Sequence, residues 1–228
     1  MDRRHRRNKF LENFPTFEKR LKKCRNIDKY DHINLSHLNL TEIPSLPSDE
    51  THSVVKLILS HNFILNPMAL IGYHQLADLC LIDSGISTLE NFSFNNLKLL
   101  KRLDISRNNI SCLPEDVVEL HQLQHLLVSN NFLSSVPNNF FRLKQLVQLD
   151  LSFNLFENIS DELERLPLLT NLDISGNANL NINSLGIKAK RLYDTVIIIL
   201  FAINTCILFL YDTVIIILFA INTFILSL

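Results

Sequence analysis

The sequence predicts an α/β solenoid, with a curved parallel sheet on the concave side and short helical or 3₁₀ segments on the convex side. Two periodicities predict it. Leu100-Lys-Arg-Leu-Asp-Ile-Ser-Arg-Asn108 is followed by Leu123-Gln-His-Leu-Leu-Val-Ser-Asn-Asn131, Leu146-Val-Gln-Leu-Asp-Leu-Ser-Phe-Asn154 and Leu169-Thr-Asn-Leu-Asp-Ile-Ser-Gly-Asn177, near-copies whose asparagines stand 23 residues apart. Self-similarity at a fixed period of twenty-odd residues is the mark of stacked repeats. Between the copies the apolar residues change step. Ile110, Leu113, Val117, Leu120 and Leu123 recur as Leu133, Val136, Phe140, Leu143 and Leu146, and as Phe156, Ile159, Leu163, Leu166 and Leu169, with the helical spacing of three and four.

Three earlier segments fit the same template. Ile33-Asn-Leu-Ser-His-Leu-Asn-Leu40 carries Leu38 where asparagine belongs, Val54-Val-Lys-Leu57-Ile-Leu59-Ser-His-Asn62 fits throughout, and Leu76-Ala-Asp-Leu79-Cys-Leu81-Ile-Asp-Ser84 carries serine at that place. Seven repeats are therefore expected over residues 30–187. In each, the Leu-x-Leu core is a short strand whose alternate side chains point inward and outward. The asparagine amide both donates and accepts, so it can satisfy backbone groups where the coil turns its corner. Stacked copies then form a hydrogen-bonded ladder, and replacing Asn131 by leucine is expected to cost about 1–3 kcal/mol, read as a fall in melting temperature. Pro114 and Pro137 stand at the start of the convex turns. No repeat buries its apolar face alone, so stability comes from nearest-neighbour stacking.

The flanks differ from the repeats. Net charge is −1, yet residues 1–25 hold ten Lys/Arg against three acids. Phe10, Phe14, Phe17, Leu21 and Cys24 form a helical stripe within residues 1–29, which predicts a helix capping the solenoid's first repeat. The clusters Arg3–Arg7 and Lys19–Arg25 also have the look of a bipartite nuclear address or a nucleic-acid patch. A transit peptide is disfavoured by Glu12, Glu18 and the scarcity of serine.

Residues 188–228 comprise a basic link, Lys188, Lys190 and Arg191, and an apolar tail in which Leu192–Phe209 is repeated as Leu210–Ser227 with two changes. Val196–Leu228 contains a single charge, Asp212, and so is read as a membrane anchor with the repeats on the cytosolic side. Two observations count against it: Asp212 mid-stretch costs about 2.5–3.5 kcal/mol, and each copy is shorter than the ~20 residues a spanning helix needs. Paired buried strands, or a recently duplicated or mis-predicted tail, are the competing readings.

Composition excludes several functions. The four glycines form neither GxGxxG nor a phosphate loop, and the eight histidines and four cysteines show no zinc spacing and no HExxH. No cofactor, metal, small-molecule substrate or catalytic set is expected, and nucleic acid is disfavoured as a partner. Scattered cysteines without CxC or CxxC, and no apolar run after the basic start, point to reduced thiols and a cytoplasmic protein, with the nuclear address as rival.

Function is expected on the concave face. Strand alternation turns outward a first row of His32, Lys56, Asp78, Arg102, His125, Gln148 and Asn171, and a second of Asn34, Ile58, Cys80, Asp104, Leu127, Asp150 and Asp173. His61, Arg107 and Phe153 fall near the lower edge. Ile58, Leu127 and Phe153 are apolar where solvent is expected and are candidate partner contacts. The candidate partner-binding set is Lys56, Ile58, His61, Arg102, Arg107, His125, Leu127, Gln148 and Phe153. Asp104, Asp150 and Asp173 read as a solvated acidic row.

Over about residues 30–187 the chain resembles the cytosolic leucine-rich-repeat proteins. Leu113-Pro-Glu-Asp-Val-Val-Glu-Leu120 and Val136-Pro-Asn-Asn-Phe-Phe-Arg-Leu143 are similar to the 22–24-residue repeats of Scribble, Erbin and Ras-pathway scaffolds. Ile86-Ser-Thr-Leu-Glu-Asn-Phe92 is closer to those of phosphatase regulatory subunits. The resemblance implies a non-enzymatic scaffold or adaptor that binds a protein partner on its concave sheet. A membrane-tethered recognition protein, anchored through residues 196–228, is the alternative.

Overall fold

The computed structural model describes residues 31–43, 51–64, 70, 72–90, 92, 94–159, 163 and 165–181. Within them the Leu-x-Leu segments form seven three-residue strands. These are β1 (His32–Asn34), β2 (Lys56–Ile58), β3 (Asp78–Cys80), β4 (Arg102–Asp104), β5 (His125–Leu127), β6 (Gln148–Asp150) and β7 (Asn171–Asp173). They pair side by side in chain order as one parallel sheet. The register aligns Ile33, Leu57, Leu79, Leu103, Leu126, Leu149 and Leu172 across the sheet, and all seven point into the core and are buried.

The ladder continues past the strand ends. Leu35, Leu59, Leu81, Ile105, Val128 and Leu151 each donate an N–H to the next repeat, as in Leu59 N–H to Cys80 O at 2.8 Å. Two residues further on, His37, His61, Asp83, Arg107, Asn130 and Phe153 do the same. Those six residues, with Gly176, have φ between 51° and 70°. The left-handed conformation costs a residue with a Cβ roughly 1–2 kcal/mol. Here it turns the chain out of the strand once per repeat, and the inter-repeat N–H bonds offset part of that cost. The side chains at this corner range from histidine to phenylalanine, so no residue type announces it.

The asparagine ladder is as expected. Asn131 Nδ2 donates to Ile105 O and Val128 O at 3.1 Å, and its Oδ1 accepts from Ile110 N–H at 3.0 Å. Asn154 and Asn177 repeat the arrangement with Leu133 N–H and Phe156 N–H. Ser84 is too short to complete it. Its hydroxyl donates to Leu59 O and Ile82 O, but the acceptor for Ile64 N–H is the Ser84 backbone carbonyl at 2.9 Å. Asn108 takes up the load on the other side, accepting from both Ser84 N–H and Ile86 N–H at 3.0 Å. Leu38, at the corresponding place in the first repeat, is buried and apolar.

On the convex side Phe94–Asn96, Glu115–Glu119 and Phe140–Arg142 are 3₁₀ turns. Pro114 immediately precedes the second, as expected for a residue with fixed φ and no N–H. Pro137 does not start the third, which begins after Asn139 in the left-handed conformation. The apolar residues at helical spacing are buried as predicted, except Val136, which is partly covered. Two cations stand over the Phe141 ring, Lys144 Nζ at 5.0 Å and the Arg165 guanidinium at 3.4 Å from its centre. The expected capping helix in 1–29, the basic clusters, the 188–191 link and the duplicated tail lie outside the described residues.

Candidate functional site

The concave face carries the two outward rows in the order expected. Pairing aligns His32, Lys56, Asp78, Arg102, His125, Gln148 and Asn171, and separately Asn34, Ile58, Cys80, Asp104, Leu127, Asp150 and Asp173. Aligned side chains on adjacent strands are within interaction distance. Lys56 Nζ meets Asp78 Oδ2 at 2.6 Å, Arg102 Nε stands 3.9 Å from Asp78 Oδ1, and Arg102 Nη2 donates to Asp104 Oδ2 at 3.0 Å. Two of the candidate contacts, Lys56 and Arg102, are thus already engaged in a four-member chain of alternating charge. Asp78 Oδ1 is shielded from solvent and accepts no hydrogen bond.

The other candidates divide by repeat. His125 Nδ1 lies 3.1 Å from Gln148 Oε1, which joins β5 to β6. His61 stacks on His37 with ring centres 4.3 Å apart and bonds Asp83 Oδ2 through Nδ1 at 3.0 Å. Arg107 is exposed and forms no ion pair among the described residues. Ile58 and Leu127 are half-buried between their row neighbours, so they present an edge to solvent rather than a whole side chain. Phe153 is 57% exposed and lies over Gly176, where an added Cβ would come within 2.5 Å of its ring. His61, Arg107 and Phe153 occupy the left-handed corner, one step beyond the strands.

The acidic row is not the solvated row expected of it. Asp104 is only 5% exposed. Its Oδ1 accepts from Ser106 Oγ at 2.9 Å and Ser106 N–H at 3.3 Å, while Oδ2 takes Arg102. Asp150 accepts from Ser152 Oγ at 2.6 Å and Ser152 N–H at 3.0 Å, and Asp173 from Ser175 N–H at 2.9 Å. Short side chains two residues before a serine fold back on the backbone in this way, and the sheet's curvature covers them. Burial pushes the Asp150 carboxyl above its usual range, partly countered by Ser152, and the Asp173 and Asp104 charges push it further.

The serine-capping role itself needs an oxygen, not a charge. Asn34 fills it in β1, accepting from Ser36 Oγ at 2.7 Å and Ser36 N–H at 3.0 Å. Asp150→Asn is therefore expected to stabilise the fold at pH 7, by about 0.5 kcal/mol at most because solvent screens the half-buried carboxylate. A carboxyl with a raised folded-state pKa destabilises above that pKa, and the cost fades as pH falls and it protonates. The stability gain should shrink between pH 7 and pH 4 in paired melting curves, and an equal gain at both would contradict the assignment.

Residues outside the candidate set also matter. Asp78 and Asp83 are the acids that engage Lys56 and His61. Phe63 and Phe132 are more than half exposed, each directly after a ladder asparagine, with Leu155 at the same place. That position could have been found in the sequence from the ladder alone. Cys80 is half-buried against Ser60 Oγ at 3.2 Å, and burial raises its thiol above the usual range. No group of three metal-ligating side chains occurs among the described residues.

The leucine rich repeat family model matches residues 74–133 and 121–178. Together with the seven-stranded sheet this defines the fold as a leucine-rich-repeat solenoid. A leucine-rich-repeat protein of Leptospira interrogans is similar at 25% identity and a TM-score of 0.51, over 71% of this chain and 50% of that one. Listeria monocytogenes InlP is similar at 26% identity and a TM-score of 0.51, over 62% and 37%. The Arabidopsis receptor kinase HAESA, in complex with the peptide hormone IDA and the co-receptor SERK1, is similar at 31% identity and a TM-score of 0.51, over 64% and 26%. The chain thus spans half or less of the length of these structures. No curated protein matches it in sequence.

Proposed function

We propose that the chain is a non-enzymatic scaffold or adaptor that binds a protein partner through its concave face. The observation that carries this reading is the pair of outward rows, aligned strand by strand on a rigid sheet, with polar residues around the apolar edge of Leu127. Leucine-rich-repeat solenoids are generally protein-interaction modules, and the peptide bound to the HAESA structure supports the same use here. The 23-residue spacing supports placing the repeats with the intracellular Scribble and Erbin class. Leu127→Lys puts a charge at the centre of the face. It is expected to remove specific proteins from those co-precipitated with the full chain while shifting the melting temperature little. An unchanged set of co-precipitated proteins would contradict the reading.

A second reading is favoured by the apolar tail: the scaffold is tethered with its repeats in the cytoplasm. Among the described residues no helix is long and apolar enough to cross a membrane, and Val196–Leu228 lies outside them. The basic Lys188, Lys190 and Arg191 before that run support this orientation. Alkaline carbonate extraction of the full chain and of a chain ending at Lys190 tests it. Retention of the full chain alone is the expected result, and release of both contradicts tethering.

A further inference from the structure

Most charged side chains on the described concave face have partners within it: Lys56 and Arg102 pair with Asp78 and Asp104, and Asp83 hydrogen-bonds His61. Two sets do not. Arg107, at the corner beyond β4, is exposed and forms no ion pair among the described residues. Asp150 on β6 and Asp173 on β7 have serine hydrogen bonds and no cationic partner there. Asn34 shows that the serine bond is available to a neutral side chain, so the charge at Asp150 and Asp173 is surplus to the fold. It is also costly, because burial and mutual repulsion already work against the Asp150 carboxylate.

The unmatched charges have opposite sign and are separated along the stack. Parallel strands lie about 4.8 Å apart, which places β4 about 10 Å from β6 and about 15 Å from β7. Leu127 and the His125–Gln148 pair occupy the interval. An extended chain crossing the strands advances about 3.3 Å per residue, so the same interval spans three to five of its residues. We infer that the concave face from β4 to β7 receives an extended, bipolar segment of a protein partner, with an acidic residue over Arg107, an apolar residue at Leu127, and basic residues over Asp150 and Asp173. This rests on the concave face being the binding face and specifies what it selects.

The test is selection of a randomised twelve-residue peptide library on the purified full chain. A second selection uses the variant R107E/D150K/D173K, with folding of both proteins checked by melting curves. Enriched peptides should carry acidic and basic residues three to five positions apart around an apolar one, and should bind the charge-inverted variant about tenfold more weakly or worse. That variant should enrich peptides of the reversed charge order. Peptides that bind, are lost on Leu127→Lys, yet show no charge order would overturn this inference and leave concave-face binding intact. An absence of enrichment, or peptides indifferent to Leu127→Lys, would overturn both.

Discussion

Asn108→Leu is expected to destabilise the protein by about 3 kcal/mol or more, since each orphaned buried polar group costs roughly 1–3 kcal/mol. In a domain of this size that corresponds to a fall in melting temperature of about 6–12 °C. The amide of Asn108 accepts from Ser84 N–H and Ile86 N–H and donates to Leu81 O, Ile105 O and Ser106 O. Leucine keeps the branched shape, but its methyl groups are bulkier than the amide oxygen and nitrogen they replace, so crowding adds to the lost hydrogen bonds. Asn131→Leu is expected to cost less, because the Asn131 amide serves one backbone N–H where Asn108 serves two. Equal melting temperatures for the two variants would contradict the account of the Ser84 repeat.

Leu126→Ala is the second large effect, about 2–5 kcal/mol. Leu126 stands at the centre of β5, fully buried between Leu103 and Leu149. A cavity there removes contacts to the repeat on each side, and nearest-neighbour stacking is what holds a solenoid together. Hydrogen exchange should therefore quicken first in β4, β5 and β6, before the ends. Leu126→Met, which nearly conserves volume, is expected to cost less than about 1.5 kcal/mol. Similar losses in the two variants would show that the site tolerates collapse and that the core is less close-packed than described.

The parts of the structure that depend on period were legible in the sequence. Leu57, Leu79, Leu103 and Leu126 had to share one rung once the repeats were aligned, and that alignment also fixed both outward rows. The buried asparagines were legible for the same reason. What could not be read depends on the path of the backbone between aligned positions. The left-handed corner is occupied by His61, Arg107 and Phe153 alike, because its conformation is held by inter-repeat hydrogen bonds and not by residue type. Asp104 looked exposed by strand alternation, yet its short side chain folds back on Ser106 beneath Arg102. The charge chain from Lys56 to Asp104 needs side-chain directions that spacing does not contain. Among the candidate contacts, Lys56 and Arg102 proved to be engaged within the face, while Arg107 and Phe153 project from it.

The most direct test of the concave face as the binding surface is site-specific photo-crosslinking in cells expressing the full chain. A photoreactive side chain would be placed at Gln148 on the face, and at Asn95 in the convex turn as the comparison. Discrete protein adducts from Gln148, absent from Asn95 and lost when Leu127→Lys is added, are the predicted result. The same adducts from both positions, or adducts from Asn95 alone, would contradict concave-face binding.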